Sequence, residues 1–260
     1  MSAVELELPA RTAKPRQSGL TMMIDNGLPS SYFCDVVASG ADYIDIVKFG
    51  WGTALVTTDL GRKIDCVHRH DVRFCFGGTL FEKFVVQDRF EAFLGLCRYW
   101  QCDLVEVSNG TIPLSNAEKA SYIRKCADAF SVVSEMGFKD AARSDTMSPA
   151  AWVDGIGEDL DAGATMVIAE ARESGRSGIC RPDGELRQPV VDAIVAAGFG
   201  VDRLLFEAPT KDLQTRFVAM FGSNVNLGNI PPGEVLAVET LRLGLRADTL
   251  LTVEAAMRRA

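Results

Sequence analysis

Two hydrophobic periods alternate along this chain. Short runs at 20–26, 43–49, 72–76, 104–108, 131–136, 165–171, 203–208 and 225–227 are aliphatic or β-branched on both faces. That is the pattern of strands buried on two sides. Between them, over roughly 30–39, 57–69, 81–100, 115–129, 149–162, 187–197, 211–221 and 232–243, apolar residues recur at helical spacing. Ser115 and Ser148 read as N-caps, and Glu118 completes a capping box with Ser115. Gly40, Gly137, Gly163 and Gly198 stand where elements should end. Strands separated by helices imply parallel pairing, because parallel neighbours need a crossover. Eight such units predict the α/β class and a single-domain (β/α)8 TIM barrel over 19–260; an open eight-stranded sheet is the alternative. Residues 1–18 read as an N-terminal arm, loosely ordered or peripheral.

Polarity then breaks the strand pattern at one end. Four of the runs carry a glutamate at the same late position: Glu106, Glu135, Glu170 and Glu207. A carboxylate that far along a buried strand costs several kcal/mol, to order of magnitude, unless it is paired, hydrogen-bonded or bound to a metal. Barrel chemistry sits at the carboxyl ends of the strands, and these positions predict a ring of acids at that rim. Lys48 closes a second apolar run before Gly50-Trp51-Gly52. It suits neutralisation of a substrate carboxylate or general acid work; an ion pair with one of the glutamates is the structural alternative. Lys139, in the loop after Glu135, carries the same two readings. Oxygen ligands suit Mg²⁺, which takes few protein carboxylates, so not all four acids need be ligands. Gly77-Gly78-Thr79 and Gly228-Asn229-Ile230-Pro231 would offer backbone N–H groups to an anion, or be plain turns. Arg242 and Arg246, four apart on an expected helix, would reach a phosphate or form a solvated face.

Composition narrows the class. The chain has 260 residues, 47% hydrophobic, enough for one large core. Its formal charge of −8 argues against a nucleic-acid binder but not against a small anionic substrate in a local basic pocket. Seven scattered cysteines form no CxxC and read as reduced thiols. No apolar run reaches the ~18 residues that span a bilayer. The first residues lack the apolar stretch of a secretory signal, and the chain is expected to be cytoplasmic. His68 and His70 precede the third strand, at the wrong end for catalysis, which argues against zinc. Nucleotide loops and a serine elbow are missing.

Lys48–Thr53, Gly77–Glu82, Glu106–Gly110, Glu173–Arg176, Phe206–Pro209 and Glu239–Thr249 together resemble the phosphosulfolactate synthase family, in order, over nearly the whole chain. The resemblance implies a (β/α)8 barrel that adds sulfite to phosphoenolpyruvate with Mg²⁺, giving (2R)-phospho-3-sulfolactate. In methanogens this begins coenzyme M synthesis. It implies Lys48, Lys139 and Glu135 as catalytic groups and Glu106, Glu170 and Glu207 as metal ligands. Arg172, Arg176 and Arg246, with Gly78, Thr79 and Asn229, would take the phosphate or sulfite. Phe138 stands where archaeal members tend to carry lysine, and Cys75 lies in a segment that also departs from the commoner form. These departures motivate one rival, another sulfur nucleophile or enol-type acceptor. A second, a non-catalytic member of the heat-stress type, follows from plant heat-stress proteins that resemble the same family; Lys48, Lys139, Glu135 and Glu207 speak against it. A Lys48→Ala protein is expected to lose turnover with little loss of stability. An exposed apolar helix face would support a homo-oligomer.

Overall fold

The computed structural model describes residues 6–259. Its eight strands are β1 Thr21–Asp25, β2 Ile46–Phe49, β3 Arg73–Phe76, β4 Leu104–Val107, β5 Ser131–Met136, β6 Met166–Ala169, β7 Leu204–Glu207 and β8 Leu227–Ile230. All pair in parallel, in the order β3-β2-β1-β8-β7-β6-β5-β4. The first strand bonds both the second and the eighth, so the sheet rolls into a barrel with helices between its strands. β3 and β4, the two ends of that order, meet without a backbone ladder. Two carboxylates bridge them instead: Phe74 N donates to Asp103 Oδ2 at 3.0 Å, and Gly78 N to Glu106 Oε1 at 2.6 Å.

Two apolar layers follow from strand alternation. Outward residues such as Val47, Phe74, Val105, Val132, Val167 and Phe206 pack under the helices. Inward residues, among them Met22, Ile46, Cys75, Leu104, Val133, Ile168 and Leu205, fill the barrel. The expected caps form: Ser115 and Glu118 make the capping box, and Ser148 accepts from Ala151 N at 3.2 Å.

Some boundaries differ from the sequence reading. The helix expected over 81–100 is two, Gly78–Val86 and Phe90–Tyr99, because Asp88 turns left-handed (φ 54) between them. The eighth strand runs on to Ile230: Gly228, which read as part of a turn, pairs with Glu207 of β7, and Asn229 follows it within the strand with φ 52. Helices Ala141–Thr146 and Leu250–Met257 were not expected. The N-terminal arm is fastened from Arg11 onward: Arg11 pairs with Glu239 at 2.8 Å and Arg16 with Asp45 at 3.1 Å. Residues 1–5 of that arm lie outside the described residues. No helix among the described residues is long and apolar enough to cross a membrane.

Candidate active site

The acidic ring is built by a two-residue step. Ile46, Leu104, Val133, Ile168 and Leu205 belong to the apolar layer inside the barrel. Two positions further along each strand, on the same inward face, stand Lys48, Glu106, Glu135, Glu170 and Glu207. Strand stagger brings them level. Glu106 lies opposite Val133, two residues short of Glu135, and Glu135 lies opposite Ile168, two short of Glu170. All five are at least 97% buried, yet all line one cavity of about 740 Å³ at the carboxyl end.

Each group is held by several partners. Lys48 Nζ lies 3.0 Å from Glu106 Oε2 and 3.3 Å from Glu207 Oε1. Glu207 Oε2 accepts from the backbone N–H groups of Ala171 (2.9 Å) and Arg172 (3.1 Å), while the Asn229 amide donates to its other oxygen. Lys139 Nζ donates to Glu135 and stands 3.2 Å from Glu170 Oε2. Behind β5, the buried pair Lys119–Asp159 (2.7 Å) also reaches the carbonyl of Glu135 at 3.1 Å and fixes that strand end. Two close approaches require glycine. A Cβ on Gly78 would sit 2.6 Å from Cβ of Ser108, and one on Gly178 (φ 62) would sit 1.9 Å from the Glu170 carbonyl oxygen.

The charges do not balance. Four buried carboxylates face two ammonium groups, Lys48 and Lys139. Burial works against the charge on each lysine. Glu106, Glu207 and Glu135 outweigh it around Lys48, and Glu135 and Glu170 around Lys139, so both pKa values rise above the ordinary lysine value. Burial also opposes the charge on Glu135, but Lys139 and then Lys48 overcome it and bring its pKa down to about 2. Glu170 goes the other way: burial, then the charges of Glu135 and Glu207, push its pKa well up. Glu106 rises as well, through burial that Lys48 only partly offsets. The surplus negative charge thus favours proton uptake, or a cation. One oxygen from each of Glu135, Glu170 and Glu207 lies within 4.8 Å of the others. Asn229 Oδ1 is buried and accepts no hydrogen bond, and Glu170 Oε2 is met by the Lys139 ammonium at 3.2 Å.

Over residues 9–248 the sequence matches the family described as (2R)-phospho-3-sulfolactate synthase (ComA). The chain belongs to the phosphosulfolactate synthase family. A phosphosulfolactate synthase of Bacillus subtilis is 51% identical over 249 residues, covering 96% of this chain and 99% of the relative. One from Methanothermobacter thermautotrophicus is 39% identical over 254 residues, covering 96% and 98%. Among solved structures, the YdjI aldolase of Escherichia coli K12 aligns over 93% of this chain and 91% of its own, with a TM-score of 0.54 and 12% identity. That likeness shows the barrel fold alone.

Within this family member, Lys48, Lys139, the four glutamates, Arg172, Gly78, Thr79 and Asn229 line the cavity, whereas Arg176, Arg242, Arg246 and Gly228 do not. Arg176 is exposed between buried Gly175 and Ser177 and is not part of the cavity lining. Arg246 lies beyond the end of its helix, where Gly244 (φ 67) reverses the chain, and faces Asp248 at 3.6 Å. Its expected helical neighbour Arg242 is buried at the amino end of the barrel, bonded to the Leu20 carbonyl. The carboxylates also regroup: Glu135, not Glu106, joins Glu170 and Glu207, because Glu106 is committed to Lys48 and Gly78 N. Gly78 therefore has no N–H left for an anion. Pro209, Pro231 and Pro232 line the loops after β7 and β8, where barrels commonly bind phosphate, and proline has no N–H to give.

Two buried groups, Ser108 and Glu82, stand at or just past strand ends in the sequence pattern but carry no assigned role there. Ser108 Oγ lies 2.5 Å from Glu82 Oε1 and 2.9 Å from Glu135 Oε1, so a single hydroxyl sits between two carboxylates. The signal for Ser108 was its place two residues past Glu106, one more inward step up the same strand. For Glu82 it was the helical turn that separates it from Gly78. A third, Arg143, has an exposed side chain on the unexpected helix Ala141–Thr146 and lines the cavity. Nothing in its sequence neighbourhood points there.

Proposed function

We propose that this chain adds sulfite to C3 of phosphoenolpyruvate to give (2R)-phospho-3-sulfolactate. The observation that carries the reading is the surplus of buried carboxylate over lysine around one open cavity, in a chain of this family. Such a surplus suits a hard divalent cation. Glu135, Glu170 and Glu207 would hold Mg²⁺, with the unpartnered Asn229 Oδ1 beside them. Bound there, Mg²⁺ would stabilise the negative charge that reaches the substrate carboxylate as the C3–S bond forms.

The chain's own groups account for the rest. The sulfur lone pair of sulfite forms the new bond to C3, the C2–C3 π pair moves toward the carboxylate, and a proton returns to C2. Lys139 is the candidate donor of that proton. Glu135 and Glu170 keep it charged until the substrate arrives. Lys48, wedged between Glu106 and Glu207, keeps a fixed positive charge on the opposite side of the mouth. Ser108 and Glu82 set the orientation of Glu135. No step calls for a redox cofactor.

The rival based on another nucleophile drew partly on Cys75, which is wholly buried in the barrel interior below Lys48 and away from the cavity. All seven cysteines are free, in keeping with a cytoplasmic enzyme acting on small anions. Incubation with phosphoenolpyruvate, sulfite and Mg²⁺, followed by ³¹P NMR, tests the proposal. A new phosphate-ester resonance that needs all three components is expected; its absence removes the reading.

A further inference from the structure

Four cationic side chains line the mouth: Lys48, Lys139, Arg143 and Arg172. Three are already engaged. Each lysine lies between two buried carboxylates. Arg172 donates to Glu173 through Nε and Nη2, and to the Lys139 carbonyl through Nη1. Arg143 differs. Among the described residues its guanidinium has no carboxylate within ion-pair distance; it lies over the Phe138 ring, 4.0 Å from the centroid. Stacking of this kind fixes the plane of a guanidinium and leaves its edge donors open.

The short helix that carries Arg143 is held with unusual care for a six-residue segment. Asp140 caps it by accepting from Arg143 N at 2.8 Å. Ser144 and Ser177 both donate to the Phe138 carbonyl, at 2.6 and 3.0 Å. The buried Arg187 grips the far side, donating to the carbonyls of Ser144 (2.5 Å) and Met147 (2.6 Å). Side chains from two βα loops thus hold Phe138 and Arg143 in place at the lip.

We propose that Arg143 binds the phosphate group of the substrate. The inference rests on the reaction proposed above and adds an orientation to it. A phosphate dianion is repelled by the carboxylate floor of the cavity, so it stays at the lip while the carbon end goes down to the lysines. The loops after β7 and β8 present prolines there, and Gly78 N is taken. The planar fork of an unpaired guanidinium matches a phosphate in two parallel hydrogen bonds. Phe138 then acts as the platform that aims the fork.

Calorimetric titration of the full chain, with phosphoenolpyruvate, inorganic phosphate and sulfite each added alone, tests this. Arg143→Ala should weaken phosphoenolpyruvate and phosphate about 10- to 100-fold. Sulfite affinity and the melting temperature should not move. Arg143→Lys should recover part of the loss, and Phe138→Ala should show a smaller loss of the same kind. Equal phosphoenolpyruvate affinity in the wild type and Arg143→Ala overturns the assignment. So does a loss confined to sulfite, or a wild type that binds neither phosphate compound. Failure of the reaction is read separately: a wild type that makes no sulfonate product, yet binds phosphate through Arg143, sinks the chemistry and keeps this site.

Discussion

Both ends of this barrel bury charge, in opposite ways. At the amino end, Arg242 is wholly buried, and burial pushes its pKa down to about 9. It donates to the carbonyls of Ser223, Val225 and Leu20 at 2.9, 2.6 and 3.1 Å. Arg16 pairs with Asp45, whose other oxygen takes Thr21 N at 2.9 Å. The excess positive charge there is spread over fixed backbone carbonyls; a cavity of about 620 Å³ at that end is lined by the paired Arg16 and Asp45 but not by Arg242. At the carboxyl end the excess is negative, and it faces about 740 Å³ of open space. At the amino end the buried cation is met by fixed carbonyls, although Arg242 Nε makes no hydrogen bond; at the carboxyl end whole carboxylates outnumber the ammonium groups that face them. The same contrast separates lysines. Lys63 pairs with Asp25 at 2.5 Å in the helical layer, away from the cavity, whereas Lys48 and Lys139 sit on its wall.

Substitutions at the two ends should therefore fail differently. Lys139→Met is expected to reduce turnover by about 10²- to 10⁴-fold, the range for loss of a general acid, while the protein stays folded. Steady-state product formation measures it, and a loss under tenfold would remove Lys139 as the proton donor. Arg242→Met should do the reverse. Leaving the carbonyls of Ser223, Val225 and Leu20 without their buried donor should cost about 3–5 kcal/mol in urea unfolding, with kcat of the folded fraction unchanged; Glu239 keeps Arg11. Lys48→Ala stands between them. Because Lys48 is buried between two carboxylates, it should lose stability along with turnover, contrary to the reading of Lys48 as a purely functional residue.

Glu170→Gln sharpens the comparison further. The amide relieves repulsion from Glu135 and Glu207, so thermal stability should hold or rise by about 1 kcal/mol. Activity should fall about 100-fold, and the calorimetric Mg²⁺ titration should weaken. A variant that is both less stable and equally active would break the distinction between the ends. Acid titration gives a smaller signal of known sign. The folded protein lowers the Glu135 pKa to about 2, so the stability it adds is present above the ordinary carboxylate range and is lost as pH falls through that range toward 2. Glu170, raised, has the opposite sign: its contribution is complete below the ordinary carboxylate range and is lost as pH rises through its folded value. Glu135→Gln should flatten the acid limb of the stability curve, and Glu170→Gln its neutral side. Smallest of all, Glu173→Gln at the exposed rim pair should change stability by less than about 1 kcal/mol.

Most of the barrel was legible because its strands are apolar on both faces and its glutamates recur at one level. Period two and period 3.6 are local signals, and both survive folding. What escaped depends on contacts distant in sequence. Arg242 and Arg246 look alike in a helical pattern, and only the turn at Gly244 sends one beneath the barrel and the other to Asp248. Glu106 and Glu135 look alike on their strands. Which of them joins Glu170 depends on where Lys48 and Gly78 N lie, and those belong to strands β2 and β3. Arg143 was invisible because its value comes from Phe138 beneath it and from what the other cations are already doing.

The junction between β3 and β4 has a mechanical consequence. Elsewhere the staves are joined by main-chain rungs, but here two acidic side chains serve as clasps, and one of them, Glu106, also grips Lys48. Anything that draws Glu106 toward the cavity loosens a clasp. Amide hydrogen exchange at Phe74 and Gly78 would then register events in the mouth that leave the other seven seams untouched.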